Sequence, residues 1–143
     1  MKPMDRLIDV VRRLREPGGC PWDRKQTHRS LLRFLREETR ELERALRRGA
    51  WNEIEDELGD VLLQILLHAQ IEDERGRFGI QDVARAQALK LIRRHPHVFG
   101  DKRLKTAEDV VLHWGEIKRR EQSLRRRDVR RRKKPARRGG PTE

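Results

Sequence analysis

The chain of 143 residues has the length of one domain, and its charge is unevenly distributed. Charged residues make up 42% of the sequence and aromatic residues only 4%, with no Tyr, a composition that favours helices over strands. Positions 118–143 hold 13 of the 36 basic residues and 3 of the 24 acidic ones, so this segment carries +10 of the net charge of +12. The rest of the chain is nearly neutral, and the basic isoelectric point therefore excludes no class of ligand for it.

The cysteine content and the N-terminal segment predict a cytoplasmic protein that does not contact membranes. Cys20 is the only cysteine, which excludes an internal disulfide framework and suits a reducing compartment. Positions 1–16 contain no apolar run of signal-peptide length, and no stretch of the chain approaches the ~18 apolar residues of a membrane span.

Apolar residues recur at helical spacing in five segments, which predict five helices. The segments lie at about positions 4–15, 27–48, 52–76, 81–95 and from 106 onward. Gly49 is placed to end the second helix, and Asn52 with Glu55 resembles a capping box that starts the third. Prolines and glycines at positions 16–21 and 96–105 predict irregular connections.

The third helix has the widest apolar face and is expected to be the most buried, whereas the sequence beyond Leu124 has almost nothing to bury. We therefore predict an all-α fold built from these five helices. Residues 1–121 are expected to form this domain. Residues 122–143 are expected to form a basic tail in which a frayed helix passes into disorder.

Two acidic residues lie within the apolar stripe of the second predicted helix. Glu38 is three positions after Leu35 and four before Leu42. Glu41 is four positions before Ala45. Helical spacing therefore directs both carboxylates toward the interior that receives the apolar side chains.

The third helix repeats this pattern, with Glu57 three positions after Ile54 and Asp60 three after Glu57. Because isolated buried carboxylates are costly, they need a partner such as a metal ion. Oxygen donors on two packed helices suit a hard cation, Mg²⁺ or, as the alternative, Mn²⁺. A di-iron centre fits less well, since neither helix contains a Glu-x-x-His pair. The competing interpretation pairs these acids with arginines of the same chain.

These acids lie in a pattern that resembles a known family. Glu37-Glu38-Thr39-Arg40-Glu41 followed by Glu57-Leu58-Gly59-Asp60 resembles the EExxE…ExxD signature of the all-α nucleoside triphosphate pyrophosphohydrolases. Four further segments resemble the MazG branch in particular, namely Gly18–Asp23, Gln26–His28, Arg93–Phe99 and Trp114–Lys118. The resemblance covers roughly residues 4–121, in the expected order.

The resemblance implies an enzyme that hydrolyses nucleoside triphosphates to the monophosphate and pyrophosphate, in a housecleaning role. It implies an all-α fold with a four-helix core and an additional N-terminal helix, which self-associates as a dimer or a dimer of dimers. It also implies Mg²⁺ held by Glu38, Glu41, Glu57 and Asp60, while Glu37 orients a water or a second ion. These five acids are the expected catalytic residues.

Five more residues are expected, by resemblance, to contact the nucleotide, namely Trp22, Lys90, Arg94, Trp114 and Lys118. Lys90 and Arg94 are four positions apart on one helical face, and so are Trp114 and Lys118. A pair of cations can hold a polyphosphate, and an indole can stack on a base. The alternatives are that Trp114 is a core anchor, that Trp22 plugs its loop, and that the cations are surface charges.

A second hypothesis makes the chain a helical, dimeric binding module without turnover. Its basic tail would contact nucleic acid through the phosphates. The acidic quartet argues against this as the whole function, because carboxylates repel phosphates unless a cation intervenes. Both functions can coexist in one chain, with a weak nucleic-acid contact through the tail.

Overall fold

The computed structural model describes the backbone of residues 1–133 and the side chains of residues 1–131, and every regular element in this range is a helix. The helices are α1 (Pro3–Arg15), α2 (Pro21–Lys25), α3 (His28–Arg48), α4 (Trp51–Glu74), α5 (Ile80–Arg94), α6 (Pro96–Phe99) and α7 (Ala107–Lys133). The predicted all-α fold is thus confirmed, and α1, α3, α4, α5 and α7 correspond to the five predicted helices. Among residues 1–133, no helix combines the length and the apolar character that crossing a bilayer requires.

The two short helices, α2 and α6, were not predicted. Each begins at a proline, Pro21 in α2 and Pro96 in α6. The fixed φ of proline suits the first turn of a helix, where its missing N–H is not needed. The segment at 96–105, which was expected to be irregular, therefore starts with one helical turn.

α3 begins and ends at residues whose chemistry specifies a helix terminus. The hydroxyl of Thr27 accepts a hydrogen bond from the backbone N–H of Ser30, and the Ser30 hydroxyl accepts one from the N–H of Thr27. At the other end, Gly49 adopts a left-handed φ of +69°, which favours glycine. The predicted end of this helix is confirmed.

The predicted capping box at Asn52 and Glu55 is wrong. α4 begins at Trp51, with Ala50 as its N-cap residue and no capping side chain. Because Gly49 already ends α3, only Gly49 and Ala50 separate the two helices. Asn52 therefore lies inside the first turn of α4 and not before it.

The chain divides into two compact units, Met1–Ala86 and the part from Gln87 onward. The core of the first unit contains Val11 of α1, Leu31 of α3 and three residues of α4. α4 supplies six of the nine buried residues among those described, namely Gln64, Leu66, Leu67, Ala69, Ile71 and Glu72. The expectation that this helix is the most buried one is therefore confirmed.

Arg15 of α1 forms hydrogen bonds with α2, with the residue just after α2 and with the end of α4. Its side chain is only 6% exposed, and it donates two hydrogen bonds to the Glu74 carboxylate at 2.8 and 3.0 Å. Its Nη1 also donates to the backbone carbonyls of Asp23 and Gln26, at 2.6 and 3.1 Å. A planar guanidinium can serve all these acceptors at once, which a lysine ammonium does less well.

A second polar group, formed by His28, His68 and Glu72, joins α3 to α4. The two imidazole rings are stacked, with Nδ1 atoms 2.7 Å apart, and His28 Nε2 lies 2.7 Å from Glu72 Oε1. Glu72 also accepts hydrogen bonds from Arg75 at 2.8 Å and Arg77 at 3.1 Å. The hydrogen bond from His28, followed by those from the arginines, lowers the pKa of Glu72 to about 2 in spite of its burial.

α7 continues without a break to Lys133, well beyond Leu124, where the apolar pattern ends. The predicted domain boundary after residue 121 falls inside this helix, and its place as a boundary stays a prediction. Positions 134–143, the last part of the predicted disordered tail, lie outside the described residues.

Replacing Glu72 with Gln is expected to lower the free energy of unfolding at neutral pH, because the donors from His28, Arg75 and Arg77 lose a charged acceptor. The fold lowers the pKa of Glu72 from its ordinary value of 4.5 to about 2. The stabilisation by its charge is therefore complete above about pH 4.5 and is lost as the pH falls toward about 2.

Urea unfolding at a series of pH values measures this effect. The difference between wild type and Glu72→Gln should shrink between about pH 4.5 and about pH 2. Glu55→Gln on the exposed side of α4 is the control, and its effect should be small and independent of pH. A Glu72→Gln effect that stays constant over this range contradicts the role given to the charge.

Candidate functional site

Three of the predicted metal ligands lie together where α3 packs against α4. Glu38 comes from α3, and Glu57 and Asp60 come from α4. One carboxylate oxygen of each residue lies within 4.8 Å of the other two. All three residues are half-buried. Their positions within the apolar stripes, read from the sequence, therefore do bring them to one place.

The crowding of negative charge changes the pKa of two of these acids. Partial burial raises the pKa of Glu38, and the charges of Asp60 and Glu57 raise it further. Loss of hydration raises the pKa of Glu57, and the charges of Glu41 and Asp60 add to the effect. Both shifts oppose ionisation, as is expected where like charges share a site.

No basic side chain of residues 1–131 forms an ion pair with Glu38, Glu57 or Asp60. Two arginines of the same region are engaged elsewhere, since Arg44 pairs with Glu41 and Arg48 pairs with Glu53. The competing interpretation, in which arginines neutralise the acids, therefore describes Glu41. At Glu57 the charge of Arg48 lowers the pKa, but burial and the neighbouring acids raise it by more.

Glu41 and Glu37 lie beside the three-carboxylate cluster of Glu38, Glu57 and Asp60. The charge of Glu41 raises the pKa of both Glu38 and Glu57, although Glu41 is outside the set of mutually close carboxylates. Glu37 is exposed, and its charge also raises the pKa of Glu38. Their roles as a ligand and as a catalytic residue stay predictions.

The three-carboxylate cluster fits a hard divalent cation by its chemistry. Its donors are all oxygen atoms, the type that Mg²⁺ and Mn²⁺ prefer. The half-buried position leaves space for further oxygen ligands from water or a phosphate. A cation would also remove the repulsion that raises the pKa of Glu38 and Glu57.

Gln64 is a neighbour of this cluster that the sequence analysis missed. It lies four residues after Asp60, on the same face of α4, and is 6% exposed. Its Oε1 has no hydrogen-bond partner among residues 1–133. Since an unpaired buried acceptor costs about 1–3 kcal/mol, we expect Oε1 to accept a hydrogen bond from a water or a ligand. The spacing from Asp60 was the signal available in the sequence.

The polar residues of α4 continue from the three-carboxylate cluster to the histidine network. They follow one another at intervals of three or four positions, as Glu57, Asp60, Gln64, His68 and Glu72. This interval places them on one line along the helix. His68 Nε2, like Gln64 Oε1, is buried without a partner among the described residues.

Trp22, the only expected nucleotide contact in the first unit, is exposed and packs edge-to-face on Phe34. The ring centroids are 5.5 Å apart, with an interplanar angle of 75°. The exposed remainder of the ring is free to stack on a base, and the contact with Phe34 also fits the alternative of a loop plug.

In the second unit, Trp114 and Lys118 lie against each other as their spacing predicts. The Lys118 ammonium is 5.2 Å from the centroid of the Trp114 ring, and His95 lies on the same indole at 5.5 Å. Trp114 is half-buried, and its Nε1 has no partner within residues 1–133. The burial of Nε1 fits the alternative of a core anchor, and the role of Trp114 as a base contact stays a prediction.

Arg94 is engaged with an acidic residue, whereas Lys90 is half-buried and forms no ion pair among residues 1–131. Arg94 Nη2 donates to Glu121 Oε2 at 2.8 Å, and both side chains are 15% exposed. Hydrogen bonds from Arg94 and then Arg93 lower the pKa of Glu121 to about 2. A phosphate would therefore have to compete with Glu121 for Arg94.

Comparison with known proteins points to one family. The sequence model of the MazG nucleotide pyrophosphohydrolase domain matches residues 26–99, which is more than half of the chain. The chain is 55% identical over 97 residues to the nucleoside triphosphate pyrophosphohydrolase/pyrophosphatase MazG of Thermotoga maritima, covering 68% of this chain and 38% of that protein. It is 41% identical over 119 residues to the nucleoside triphosphate pyrophosphohydrolase of Escherichia coli K12, covering 82% and 45%.

The chain thus spans less than half the length of each of these two curated relatives. A solved structure, that of a mazG-related protein from Thermotoga maritima, matches with a TM-score of 0.66 and 27% identity. This match covers 80% of the present chain and 98% of the other. The matched family segment contains Glu38, Glu57 and Asp60, so the fold, the acidic motif and the sequence relatives agree. The chain belongs to the MazG nucleotide pyrophosphohydrolase domain family.

Proposed function

We propose that this protein hydrolyses nucleoside triphosphates to the monophosphate and pyrophosphate, with Mg²⁺ as its cofactor. The observation that carries the proposal is the three-carboxylate cluster, whose oxygens lie within 4.8 Å of one another and which has no ion-pair partner among residues 1–131. An acidic site can accept an anionic substrate only together with a cation, so this cluster suits a metal-nucleotide complex. Two relatives that are named nucleoside triphosphate pyrophosphohydrolases support the same reaction.

In this proposal, Glu38, Glu57 and Asp60 hold the divalent ion, with Glu41 as the fourth ligand. When bound, such an ion offsets the negative charge of the phosphate oxygens and activates water. Glu37 orients the water that attacks the α-phosphorus, and a carboxylate of the site takes its proton. The bond between the α-phosphorus and the bridging oxygen breaks, and pyrophosphate leaves. Mn²⁺ is the alternative ion.

The nucleotide contacts are proposed from the resemblance to the family, and the chemistry of the side chains suits them. Lys90, Arg94 and Lys118 contact phosphates, and the indole rings of Trp22 and Trp114 stack on the base. For Arg94 this requires exchanging Glu121 for a phosphate oxygen. The housecleaning role, in which aberrant or excess triphosphates are removed, is part of the proposal and rests on the family.

We further propose that the protein self-associates through an exposed apolar stripe on α4. Trp51, Leu58 and Ile65 are seven residues apart and therefore lie on one face of the helix. They are 77%, 52% and 44% exposed. An exposed row of large apolar side chains marks an interaction surface on a folded protein.

The reaction is tested by incubating the purified protein with ribo- and deoxyribonucleoside triphosphates, with and without Mg²⁺, and separating the products. We expect monophosphate and pyrophosphate only when Mg²⁺ is present. Glu38→Gln and Asp60→Asn should each lower turnover by about a hundredfold or more, because each removes a metal-ligand charge. Glu55→Gln, an exposed acid of the same helix, should retain the activity of the wild type.

Other outcomes of this assay decide against the proposal. Diphosphate and phosphate as products would move the attack to another phosphorus. Binding of nucleotide without turnover across the panel would make the binding-module hypothesis the better one. Activity that survives in both variants would remove the three-carboxylate cluster from the mechanism.

The metal site has a consequence for stability that is independent of turnover. Because the folded protein raises the pKa of Glu38, its ionisation opposes folding when no ion is bound. This cost is absent below the ordinary pKa of 4.5 and complete above the raised pKa. In chelator at neutral pH, Glu38→Gln should therefore have a higher melting temperature than wild type, and the difference should vanish near pH 4.

With Mg²⁺ present, the wild type should have the higher melting temperature, since an ion that binds only the folded state stabilises the wild type more than Glu38→Gln. Melting curves in chelator and at increasing Mg²⁺ concentration measure both effects. Glu55→Gln should follow the wild type under both conditions. A melting temperature of the wild type that does not respond to Mg²⁺ or Mn²⁺ would contradict the site.

Self-association is tested by the mass of the protein in solution. Light scattering coupled to size exclusion should give a dimer or a tetramer for the wild type and a smaller species for Leu58→Gln with Ile65→Gln. The control replaces Val10 and Leu46 by Gln, because both are about as exposed but lie on α1 and α3. A monomeric wild type, or equal effects of the two pairs, would refute this interface.

A further inference from the structure

The second half of α7 carries seven exposed arginines on an ordered helix. This arginine segment, positions 119–131, contains Arg119, Arg120, Arg125, Arg126, Arg127, Arg130 and Arg131. Its acidic residues are Glu121 and Asp128. The reaction proposed above makes no use of these arginines, and none of them forms an ion pair with another residue of the described chain.

Six of the arginines form two rows along the helix. The first row contains Arg119, Arg126 and Arg130, at intervals of seven and four residues. The second row, Arg120, Arg127 and Arg131, has the same intervals but is displaced by one residue. One residue corresponds to about 100° around a helix, so the two rows point in directions about 100° apart.

The two acids lie on the side of α7 opposite to the first row. Glu121 and Asp128 are seven residues apart and therefore share one line of the helix. Glu121 pairs with Arg93 at 2.7 Å and Arg94 at 2.8 Å, both on α5. α7 therefore contacts α5 through Glu121, and the arginines of both rows are exposed, with Arg120 also bordering a cavity beside Arg93.

We propose that the two arginine rows bind the phosphate backbones of duplex DNA, with this part of α7 in the major groove. An α-helix with its side chains is about 10–12 Å wide, which matches the major groove of about 12 Å. A row of phosphates borders each side of the groove, and two rows of arginines about 100° apart reach both sides. Guanidinium groups also bind phosphates with two parallel hydrogen bonds.

A membrane surface fits these observations less well. A helix that lies on a bilayer needs a continuous apolar face beside its basic one. The large apolar residues of the arginine segment are Leu124 and Val129, five positions apart. At about 100° per residue they point in directions about 140° apart and form no common face.

The experiment compares two triple variants of the full chain. Arg119, Arg126 and Arg130 are replaced by Gln, which keeps a good helix former at each position. The control replaces Arg29, Arg36 and Arg40 of α3, which are exposed and have the same intervals of seven and four residues. Both variants lose three positive charges, so their net charge is the same.

Fluorescence anisotropy with a short labelled duplex of random sequence, titrated at several salt concentrations, gives the affinity and its salt dependence. Loss of three phosphate contacts should weaken binding about tenfold or more near 0.1 M salt and lower the slope of log Kd against log salt by about 2–3. The α3 control should bind within about twofold of the wild type at the same salt concentration. Triphosphate hydrolysis should be unchanged in the α7 variant.

Several results would overturn the proposal. Equal weakening in the α3 control would show binding by overall charge and not by α7. Binding of vesicles that contain phosphatidylserine, or of polyglutamate, as tight as that of the duplex would replace DNA by another anionic partner. Circular dichroism checks that the variants fold. If the variant of Arg119, Arg126 and Arg130 does not fold, replacing Arg120, Arg127 and Arg131 by Gln must give the same loss of DNA affinity.

Discussion

The packing of α3 against α4 holds three carboxylates closer together than their mutual repulsion favours. One oxygen each of Glu38, Glu57 and Asp60 lies within 4.8 Å of the other two. Apolar contacts in the same unit, around Leu31 and Leu67, have to offset this repulsion, because no ion pair within residues 1–131 does. A divalent cation would attract all three carboxylates, so an arrangement that is unfavourable without an ion becomes a binding site for one.

The two ends of α4 show how one residue type takes opposite electrostatic roles. Glu72, near the C-terminal end, accepts hydrogen bonds from His28, Arg75 and Arg77, and its pKa is lowered to about 2. Glu57, near the N-terminal end, has acidic neighbours, and its pKa is raised. Glu72 is therefore satisfied within the protein and stabilises it, whereas Glu57 has no ion-pair partner among residues 1–131. Perturbed pKa values of this kind cluster at functional sites.

Local patterns predicted the helices and most of the acidic site. Apolar spacing located the five long helices, and the position of Glu38, Glu57 and Asp60 within apolar stripes predicted their meeting. Glu41 has the same kind of position, but Arg44, one turn further along α3, pairs with it. Apolar spacing predicts the direction of a side chain, but it does not predict that an exposed neighbour pairs with that side chain.

Features that depend on packing between distant residues were not predictable from these patterns. His28 and His68 meet because α3 and α4 are adjacent, and they are 40 positions apart in the sequence. α7 also extends to Lys133 although its apolar pattern ends at Leu124. Arginine has a high helix propensity, and the connection of Glu121 to Arg93 and Arg94 holds the helix at its middle. Neither effect depends on burial, so neither leaves a trace in the apolar pattern.

The net charge of +12 predicts neither of the two ligands inferred for this chain. Electrostatic interactions at physiological ionic strength fall off over about 8–10 Å, so a ligand responds to the groups in its immediate surroundings. Around Glu38, Glu57 and Asp60 those groups are negative, and an anionic nucleotide can bind there only with a cation. Along the arginine segment of α7 they are positive, because Glu121 is already neutralised by Arg93 and Arg94. The charges that remain unpaired after folding therefore determine which ligand each region binds. For this reason a strongly basic chain can contain an acidic site.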